Sequence, residues 1–253
     1  MLRLVINLDR SPERLASISK QLSTQGLAFS RVSAVDGRNM CNDELKKLEA
    51  QFNNPRKYIF KKALQPCEIA CFLSHAKCWE QLINSDSDWA LIMEDDIVLS
   101  PRFKQFAESV DWIPSDVRVI QLHGSEQMFF VGKRYQVLDT ELLQIIRPAP
   151  LGCLAYLIHR DAAAYALASY LPIPAPVDDF LFGPYTWFAR RFPTFRLLES
   201  CVTTLDMESD IGNRTKRKQP PFCLRVNVLR AFHSTKCRLN ALRYQKRLLS
   251  FKK

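Results

Sequence analysis

Three consecutive carboxylates interrupt an apolar segment of the chain. The segment, residues 89–99, reads WALIMEDDIVL and places Glu94, Asp95 and Asp96 between two hydrophobic runs. Two carboxylates about 4 Å apart repel each other by roughly 4 kcal/mol at an effective dielectric constant of about 20. A divalent cation relieves that repulsion, and oxygen ligands suit Mg²⁺ or Mn²⁺. Because side chains alternate along a strand, we predict that Glu94 and Asp96 bind the metal ion and that Asp95 faces the other way, unless the strand ends at these acids. A solvated strand end is the alternative.

The elements around these acids alternate between strand and helix. A β-type run at residues 3–8, a helical pattern at 11–26 and a second β-type run at 29–35 predict a parallel strand–helix–strand unit. Acids at the carboxyl end of a parallel strand lie where open α/β sheets bind their ligands. The predicted fold class is therefore α/β. Further predicted elements are helices at 43–52, 66–83 and 161–171, strands at 118–124 and 152–159, and a proline-rich loop at 171–184.

Length and composition indicate an ordinary globular protein. The chain has 253 residues, of which 47% are hydrophobic and 25% charged, enough for one large domain or two small ones. Apolar runs stay well below the ~18 residues that cross a bilayer, and the first residues lack the apolar core of a secretory signal. We therefore expect a cytoplasmic protein in which the eight cysteines are reduced.

Charge is distributed unevenly along the chain. Residues 214–253 contain thirteen Lys/Arg and no Asp/Glu. Because the net charge of the whole chain is +10, residues 1–213 carry a net charge of −3. We predict a main domain at 1–213 and a basic C-terminal extension at 214–253. Leucines between the basic residues favour a cationic amphipathic helix on an anionic membrane surface, at the cytoplasmic face of the inner membrane. A helix that packs on the main domain is the alternative.

Several short motifs occur together in one order. They are Asn7-Leu8-Asp9-Arg10-Ser11 with Arg14, Ala34-Val35-Asp36-Gly37, Cys71-Phe72-Leu73-Ser74-His75, Leu91-Ile92-Met93-Glu94-Asp95-Asp96 and Pro176-Val177-Asp178. Because it carries these motifs in this order, the chain resembles glycosyltransferase family 25. The resemblance implies a GT-A-like fold and inverting transfer of a hexose, usually galactose, from a UDP-sugar with Mn²⁺. The acceptor implied is a saccharide of lipopolysaccharide or lipooligosaccharide, free or lipid-linked.

The resemblance also suggests functions for individual residues. Glu94 and Asp96 would hold Mn²⁺ or Mg²⁺, and Asp178 or Asp179 would be the base that removes the acceptor hydroxyl proton. The residues expected to bind the donor are Asn7, Asp9, Arg10, Arg14, Asp36, Ser74, His75 and Asp95. Ordinary surface ion pairs, an Asp-Gly turn and a solvated acidic loop are the alternatives for the charged residues among them.

Four residues of one predicted helix are of the types that bind zinc, but helix geometry argues against one site formed by all four. Cys67, Cys71, His75 and Cys78 share one helical face, but eleven residues rise about 16 Å, whereas the ligands of one zinc ion lie within about 2.3 Å of it. At most two adjacent members can bind together, so a core-facing stripe is the preferred interpretation. Cys67 also replaces a glycine common in the family, which calls the local turn into question.

Two other functions fit the composition less well. In one, the basic extension grips nucleic-acid phosphates while the acids hold Mg²⁺. The extension has few aromatic residues to stack on bases, so no nucleic-acid partner is expected. In the other, the chain is a non-catalytic module that binds a glycan or a lipid.

Overall fold

The computed structural model describes residues 1–48, 64–124, 127–184, 186–205 and 242–251, with the isolated positions Thr235 and Leu239. The helices are α1 Pro12–Thr24, α2 Asn42–Leu48, α3 Pro66–Ile83, α4 Phe103–Ala107, α5 Arg160–Ser169, α6 Val177–Phe182 and α7 Trp187–Arg191, with a 3₁₀ turn at Gly37–Asn39. The strands are β1 Leu2–Asn7, β2 Ser30–Ser33, β3 Trp89–Glu94, β4 Ile97–Leu99, β5 Val119–Gln121, β6 Gln127–Val137, β7 Thr140–Arg147, β8 Ala155–His159, β9 Thr194–Leu197, β10 Glu199–Ser200, β11 Val202–Thr204 and β12 Gln245–Phe251.

The described strands form one large mixed sheet and a small antiparallel pair. The large sheet has ten strands in the order β10-β12-β6-β7-β9-β5-β8-β3-β1-β2, and the pair is β11-β4. Strand β1 lies between β2 and β3 and is parallel to both, so the predicted strand–helix–strand unit is confirmed. Strand β8 runs antiparallel to β3 and β5, which makes the sheet mixed.

Both faces of the sheet are covered. Alternate residues of β1 and β3 belong to two separate buried clusters: Leu4 and Ile92 pack with α3, α5 and α6 on one side, and Val5 and Leu91 pack with α1 and α4 on the other. Covering both faces buries most of β1 and β3, whose apolar runs are nearly continuous, whereas the edge strand β2 is buried only at Val32. The predicted α/β class follows from this arrangement.

Helix α3 is the longest described helix and packs on the sheet beside the acids. Its N-terminus is held by a capping box, in which the Gln65 backbone N–H donates to Glu68 Oε2 at 2.9 Å, and Pro66 occupies the first turn. Ten of its residues are buried, including Phe72 and Trp79. The helix is therefore packed tightly on the sheet, and this packing fixes the positions of the side chains in its N-terminal half.

The structure corrects several sequence predictions. The segment 171–184, which was predicted to be a loop, contains α6. Asp178 and Asp179 lie in the first turn of α6, where the positive partial charge of the helix N-terminus favours acidic residues. The hairpin of β6 and β7 has no counterpart in the predicted elements. Of the predicted helix at 43–52, the structure shows Asn42–Leu48, and residues 49–63 lie outside the described part of the chain.

The last described segment of the basic extension is a strand and not part of a helix. Strand β12 pairs antiparallel with β6, and Leu249 is fully buried against Phe129, Val131 and Leu143. Pairing with an open sheet edge overrides the helical pattern of the leucines. Most of 214–253, and so the predicted domain boundary, lies outside the described residues. Among the described helices, none is long and apolar enough to cross a membrane.

Candidate active site

A cavity of about 510 Å³ opens at the carboxyl ends of β1, β2 and β3. Its walls come from the end of β1, the loop after β2, the first half of α3 and the residues after β3. Nine of the twelve predicted site residues line it: Asn7, Arg10, Arg14, Asp36, Ser74, His75, Glu94, Asp95 and Asp96. Residues far apart in the sequence thus meet where parallel sheets bind ligands.

Strand β3 ends at Glu94, so strand alternation does not govern the acids that follow. All three acids line the cavity, and Asp95 takes the alternative left open for a strand that ends at the acids. Asp95 Oδ2 accepts a 2.6 Å hydrogen bond from Asn7 Nδ2, and Asp95 Oδ1 lies 3.8 Å from Arg14 NH1. Burial raises the pKa of Asp95, while the Asn7 bond and Arg14 oppose that increase. Asp95 is therefore anchored to the protein itself.

Asp96 has the opposite environment. Its Oδ1 is buried without a hydrogen-bond partner among the described residues. Burial, followed by the charges of Glu94 and Asp95, raises the pKa of Asp96 to about 6. A buried carboxylate oxygen with no partner is destabilising unless it is protonated or a cation approaches it. Together with the Glu94 carboxylate it offers an all-oxygen donor set, which fits a hard divalent cation.

His75 is the last member of a buried chain of hydrogen bonds that lies beside Glu94. Trp79 Nε1 donates to the Tyr156 hydroxyl at 3.0 Å, and that hydroxyl lies 3.0 Å from His75 Nδ1. Indole N–H is a donor only, so the hydroxyl accepts from Trp79 and its own proton is free to reach Nδ1. In the neutral ring, His75 Nε2 then carries the proton and faces Glu94 Oε1 at 3.4 Å. The two hydrogen bonds therefore fix the ring of His75, whose Nε2 lies near Glu94 without a hydrogen bond. Tyr156, which lies 81 residues beyond His75, gave no signal in the sequence.

Tyr156→Phe is expected to lower the free energy of unfolding by about 2–4 kcal/mol, because two buried groups, Trp79 Nε1 and His75 Nδ1, lose their partner. Urea denaturation measures this change. The control is Tyr170→Phe, whose ring stacks on Phe72 in the same core and whose loss of a hydroxyl is expected to change stability by about 0.5 kcal/mol or less. Equal effects of the two substitutions would show that the hydroxyl chain contributes nothing.

The loop after β2 is fixed against the start of α3. Ser74 Oγ accepts from the Val35 backbone N–H at 2.9 Å and donates to the Ala70 carbonyl at 2.8 Å. A Cβ on Gly37 would lie 2.7 Å from the Pro66 carbonyl oxygen, so only glycine permits this approach. Cys67 lies within α3, and Leu138 alone among the described non-glycine residues has a positive φ. Cysteine at this position therefore requires no unusual backbone.

Asp36 is held at the cavity edge by this loop. Its Oδ1 accepts from the Arg38 backbone N–H and its Oδ2 from Arg10 Nε, both at 3.0 Å. These bonds, that of Arg38 first, lower the pKa of Asp36. The carboxylate thus stays ionised and keeps Arg10 in the wall of the cavity.

Three predicted site residues are not among the described residues that line the cavity. Asp9 is exposed and pairs with Arg31 and Ser33 along β2. Asp178 accepts the Gly152 backbone N–H at 3.0 Å and the Asp179 backbone N–H at 2.9 Å. Asp179 is nearly buried in the first turn of α6. The charge of Asp178 nevertheless raises the pKa of the Cys71 thiol, after burial and Glu94, which indicates that Asp178 lies near the cavity wall.

The sequence of this chain is similar to those of several known proteins. A family model described as "Glycosyltransferase family 25 (LPS biosynthesis protein)" matches residues 1–181. A glycosyltransferase 25 family member of Aedes aegypti is 30% identical over 188 residues, which are 70% of this chain and 30% of that protein. A putative glycosyltransferase of Haemophilus influenzae is 26% identical over 186 residues, 73% of this chain and 64% of that protein. The chain thus spans less than two thirds of either relative.

Other similarities are weaker or partial. LgtB of Neisseria gonorrhoeae, a lacto-N-neotetraose biosynthesis glycosyltransferase, is 26% identical over 203 residues, 71% of this chain and 66% of that protein. A glycosyltransferase involved in glycosylation of the major capsid of PBCV-1 covers 94% of this chain and 98% of its own, with a TM-score of 0.46 and 9% identity. That structural score supports no residue-by-residue comparison.

The fold is α/β, and its cavity lies beside a cluster of acids at the carboxyl ends of parallel strands, where open α/β sheets commonly bind ligands. The chain belongs to glycosyltransferase family 25, since the family model matches residues 1–181 of 253. Membership confirms the resemblance and, with the mixed sheet, the predicted α/β, GT-A-like fold class.

Proposed function

We propose that this protein transfers a hexose, with galactose as the first candidate, from a UDP-sugar to a saccharide acceptor of lipopolysaccharide or lipooligosaccharide, with inversion at the anomeric carbon. Family membership supports glycosyl transfer. The observation that carries the proposal is the 510 Å³ cavity, which brings acids, arginines and two helix N-termini to one place. The three features together suit a nucleotide diphosphate sugar, whose diphosphate is anionic and whose leaving group a metal ion can neutralise.

Positive groups for the donor diphosphate come from the start of α1. Arg10 and Arg14 flank that N-terminus and line the cavity. Backbone N–H groups at a helix N-terminus favour anions, and guanidinium groups add charge-assisted hydrogen bonds. Gln65 and Pro66 bring the N-terminus of α3 to the same cavity. Asp36 lies at the edge of the cavity, where its carboxylate is suited to accept hydrogen bonds from ribose or base.

Glu94 and Asp96 are the proposed ligands of Mn²⁺ or Mg²⁺. Their support is the unpartnered, buried Oδ1 of Asp96 and the presence of both carboxylates in the lining of one cavity. A divalent cation bound there would neutralise charge on the leaving diphosphate. Asp95, anchored by Asn7 and near Arg14, would hold donor hydroxyl groups and position the arginine.

Asp178 and Asp179 remain the candidates for the base. Asp178 has the stronger support, because its charge reaches Cys71 in the cavity wall. Both of its oxygens accept a backbone N–H, yet each carboxylate oxygen has a further lone pair for an acceptor hydroxyl. The base would take that proton as the sugar–diphosphate bond breaks.

The acceptor class rests on the family description and on relatives. LgtB and LgtE of Neisseria are named as lacto-N-neotetraose biosynthesis glycosyltransferases. The thirteen basic residues of 214–253 support a peripheral association with anionic lipid, where a lipid-linked acceptor would lie.

The test uses the full chain after treatment with EDTA. We expect release of UDP from one UDP-sugar only when Mn²⁺ or Mg²⁺ is added, and a transferred sugar in the β-configuration from an α-linked donor by NMR. Metal-independent transfer would refute the metal ligands, and retention of the anomeric configuration would refute the single displacement. Binding of UDP without transfer to any saccharide acceptor would instead indicate a non-catalytic module.

A further inference from the structure

Three side chains of different type converge on the cavity wall between α3 and β3. A sulfur of Cys71, a ring nitrogen of His75 and a carboxylate oxygen of Glu94 all lie within 4.8 Å of one another. His75 is fully buried, while Cys71 and Glu94 are partly exposed. All three residues line the cavity. A thiol, an imidazole and a carboxylate are the ligand types that zinc binds.

The topology explains why these three meet. Residues four apart on a helix share one face, so α3 presents Cys71 and His75 side by side. A helix alone supplies at most two ligands to one ion, and Cys67 and Cys78 are not part of the group. The third ligand comes from Glu94 at the end of β3, against which α3 packs. Helix α3 alone supplies two of the ligands, and strand β3 therefore supplies the third.

His75 points a polar atom into this group. Its Nε2 is buried and has no hydrogen bond of acceptable geometry among the described residues, although Glu94 Oε1 lies 3.4 Å away. A buried ring nitrogen without a hydrogen bond is uncommon in folded proteins. A cation between His75, Glu94 and Cys71 would satisfy it.

We propose that Cys71, His75 and Glu94 form a binding site for a thiophilic divalent cation of the Zn²⁺ class. Tetrahedral zinc with bonds of about 2.0–2.3 Å requires ligand atoms roughly 3.5 Å apart. A contraction of about 1 Å from the present spacing, through rotation of the two partly exposed side chains, is sufficient. Three protein ligands leave the fourth position open to the cavity.

Binding rearranges the protons of the group in a defined way. The thiol of Cys71 releases its proton to solvent and binds as a thiolate. The ring of His75 binds through Nε2 and carries its proton on Nδ1, which donates to the Tyr156 oxygen. The Tyr156 hydroxyl turns its own proton away from His75. No redox step is involved.

Sharing of Glu94 gives the site a consequence for the proposed Mn²⁺ site. Glu94 is a ligand in both proposed sites, so Zn²⁺ bound at one site changes the carboxylate that is offered to Mn²⁺ at the other. The zinc site itself does not depend on transferase activity, and it is tested without a nucleotide sugar.

The experiment is a titration of the metal-free full chain with Co²⁺, a spectroscopic substitute for Zn²⁺. We expect one equivalent of Co²⁺ to give a thiolate-to-cobalt charge-transfer band that Zn²⁺ removes stoichiometrically. Cys71→Ser is expected to abolish the band and to weaken Zn²⁺ binding about 100-fold or more. The matched control is Cys67→Ser, which removes another thiol of the same cavity and is expected to leave the band intact.

A variant of Glu94 tests the carboxylate ligand in the same titration. Glu94→Gln is expected to weaken Zn²⁺ binding while keeping the charge-transfer band, since the thiolate remains. Thermal melting confirms that each variant is folded. A band that survives Cys71→Ser, a band lost equally in Cys67→Ser, or Co²⁺ bound without any thiolate band would each overturn the proposal. A catalytically inactive protein that still shows the Cys71-dependent band would refute the proposed transfer and leave the zinc site standing.

Discussion

Replacement of Asp96 by asparagine is expected to reduce sugar transfer by at least about 100-fold while making the metal-free protein more stable at pH 7. The carboxylate is one of two proposed metal ligands, and loss of one preorganised electrostatic group at a reacting phosphate typically lowers turnover by about 100-fold to 1000-fold. An amide of the same shape keeps the packing but binds a hard cation poorly. Release of UDP at saturating donor and Mn²⁺ measures the loss.

The gain in stability follows from the pKa of Asp96. Burial and neighbouring acids raise it from 3.8 to about 6 in the folded protein. The protonated form is therefore favoured by folding, and its contribution is complete below about 3.8 and lost as pH rises through about 6. A shift of this size corresponds to about 3 kcal/mol, at about 1.4 kcal/mol per pKa unit. The Asn variant lacks this dependence, so its advantage in metal-free urea denaturation should grow from near zero at pH 4 to about 3 kcal/mol at pH 7.

The control for both effects is Asp86→Asn, which removes one negative charge from an exposed position. It is expected to leave turnover unchanged and to alter stability by about 0.5 kcal/mol or less. A variant at Asp96 that keeps full activity would show that this carboxylate does not hold the metal ion. Equal stability of wild type and Asp96→Asn at pH 7 would show that Asp96 has found a partner in the folded protein.

Much of the candidate site was predictable because it depends on strand ends. The carboxyl ends of β1, β2 and β3 were identified from short apolar runs followed by polar residues, and parallel pairing places such ends together. Asn7, Asp36 and Glu94 therefore met as expected. Local pattern is sufficient for β1 and β3 because both are buried on the two faces of the sheet, which requires a continuous apolar run.

The direction in which each acid points was not predictable. Alternation holds for Asp95 only where β3 continues through Asp96, and the sequence left the end of the strand open. In the structure the strand ends at Glu94 and a bend follows. The partner of Asp95 is Asn7, 88 residues earlier, and a contact of that sequence separation has no local signal. The strand β12 was missed for a related reason, since only the open edge of β6 converts that segment into a strand.

Asn7 is the residue through which the fold holds the site together. Its Nδ2 donates to Asp95 Oδ2 at 2.6 Å and to the Ser11 carbonyl at 2.9 Å, and its Oδ1 accepts from Arg31 Nε at 2.9 Å. One buried amide therefore connects the end of β1 to the start of α1, to β2 and to the acids. Only a side chain with both donors and an acceptor makes these three contacts.

Asn7→Asp is therefore expected to lower the free energy of unfolding by about 4 kcal/mol at pH 7. The variant places two carboxylates in contact with each other, with a repulsion of roughly 4 kcal/mol at an effective dielectric constant of about 20, and removes the donor from the 2.6 Å bond to Asp95. The pair would share a proton at a pKa above the ordinary value of an aspartate, so the folded variant binds a proton that the unfolded chain releases. Stability is thus regained as the pH falls, and urea denaturation at pH 7 and near pH 4 measures the recovery. Asn39→Asp, which makes the same change at an exposed position, should show neither the loss nor the recovery. A pH-independent loss in Asn7→Asp would mean that altered packing, and not charge repulsion with Asp95, destabilises the variant.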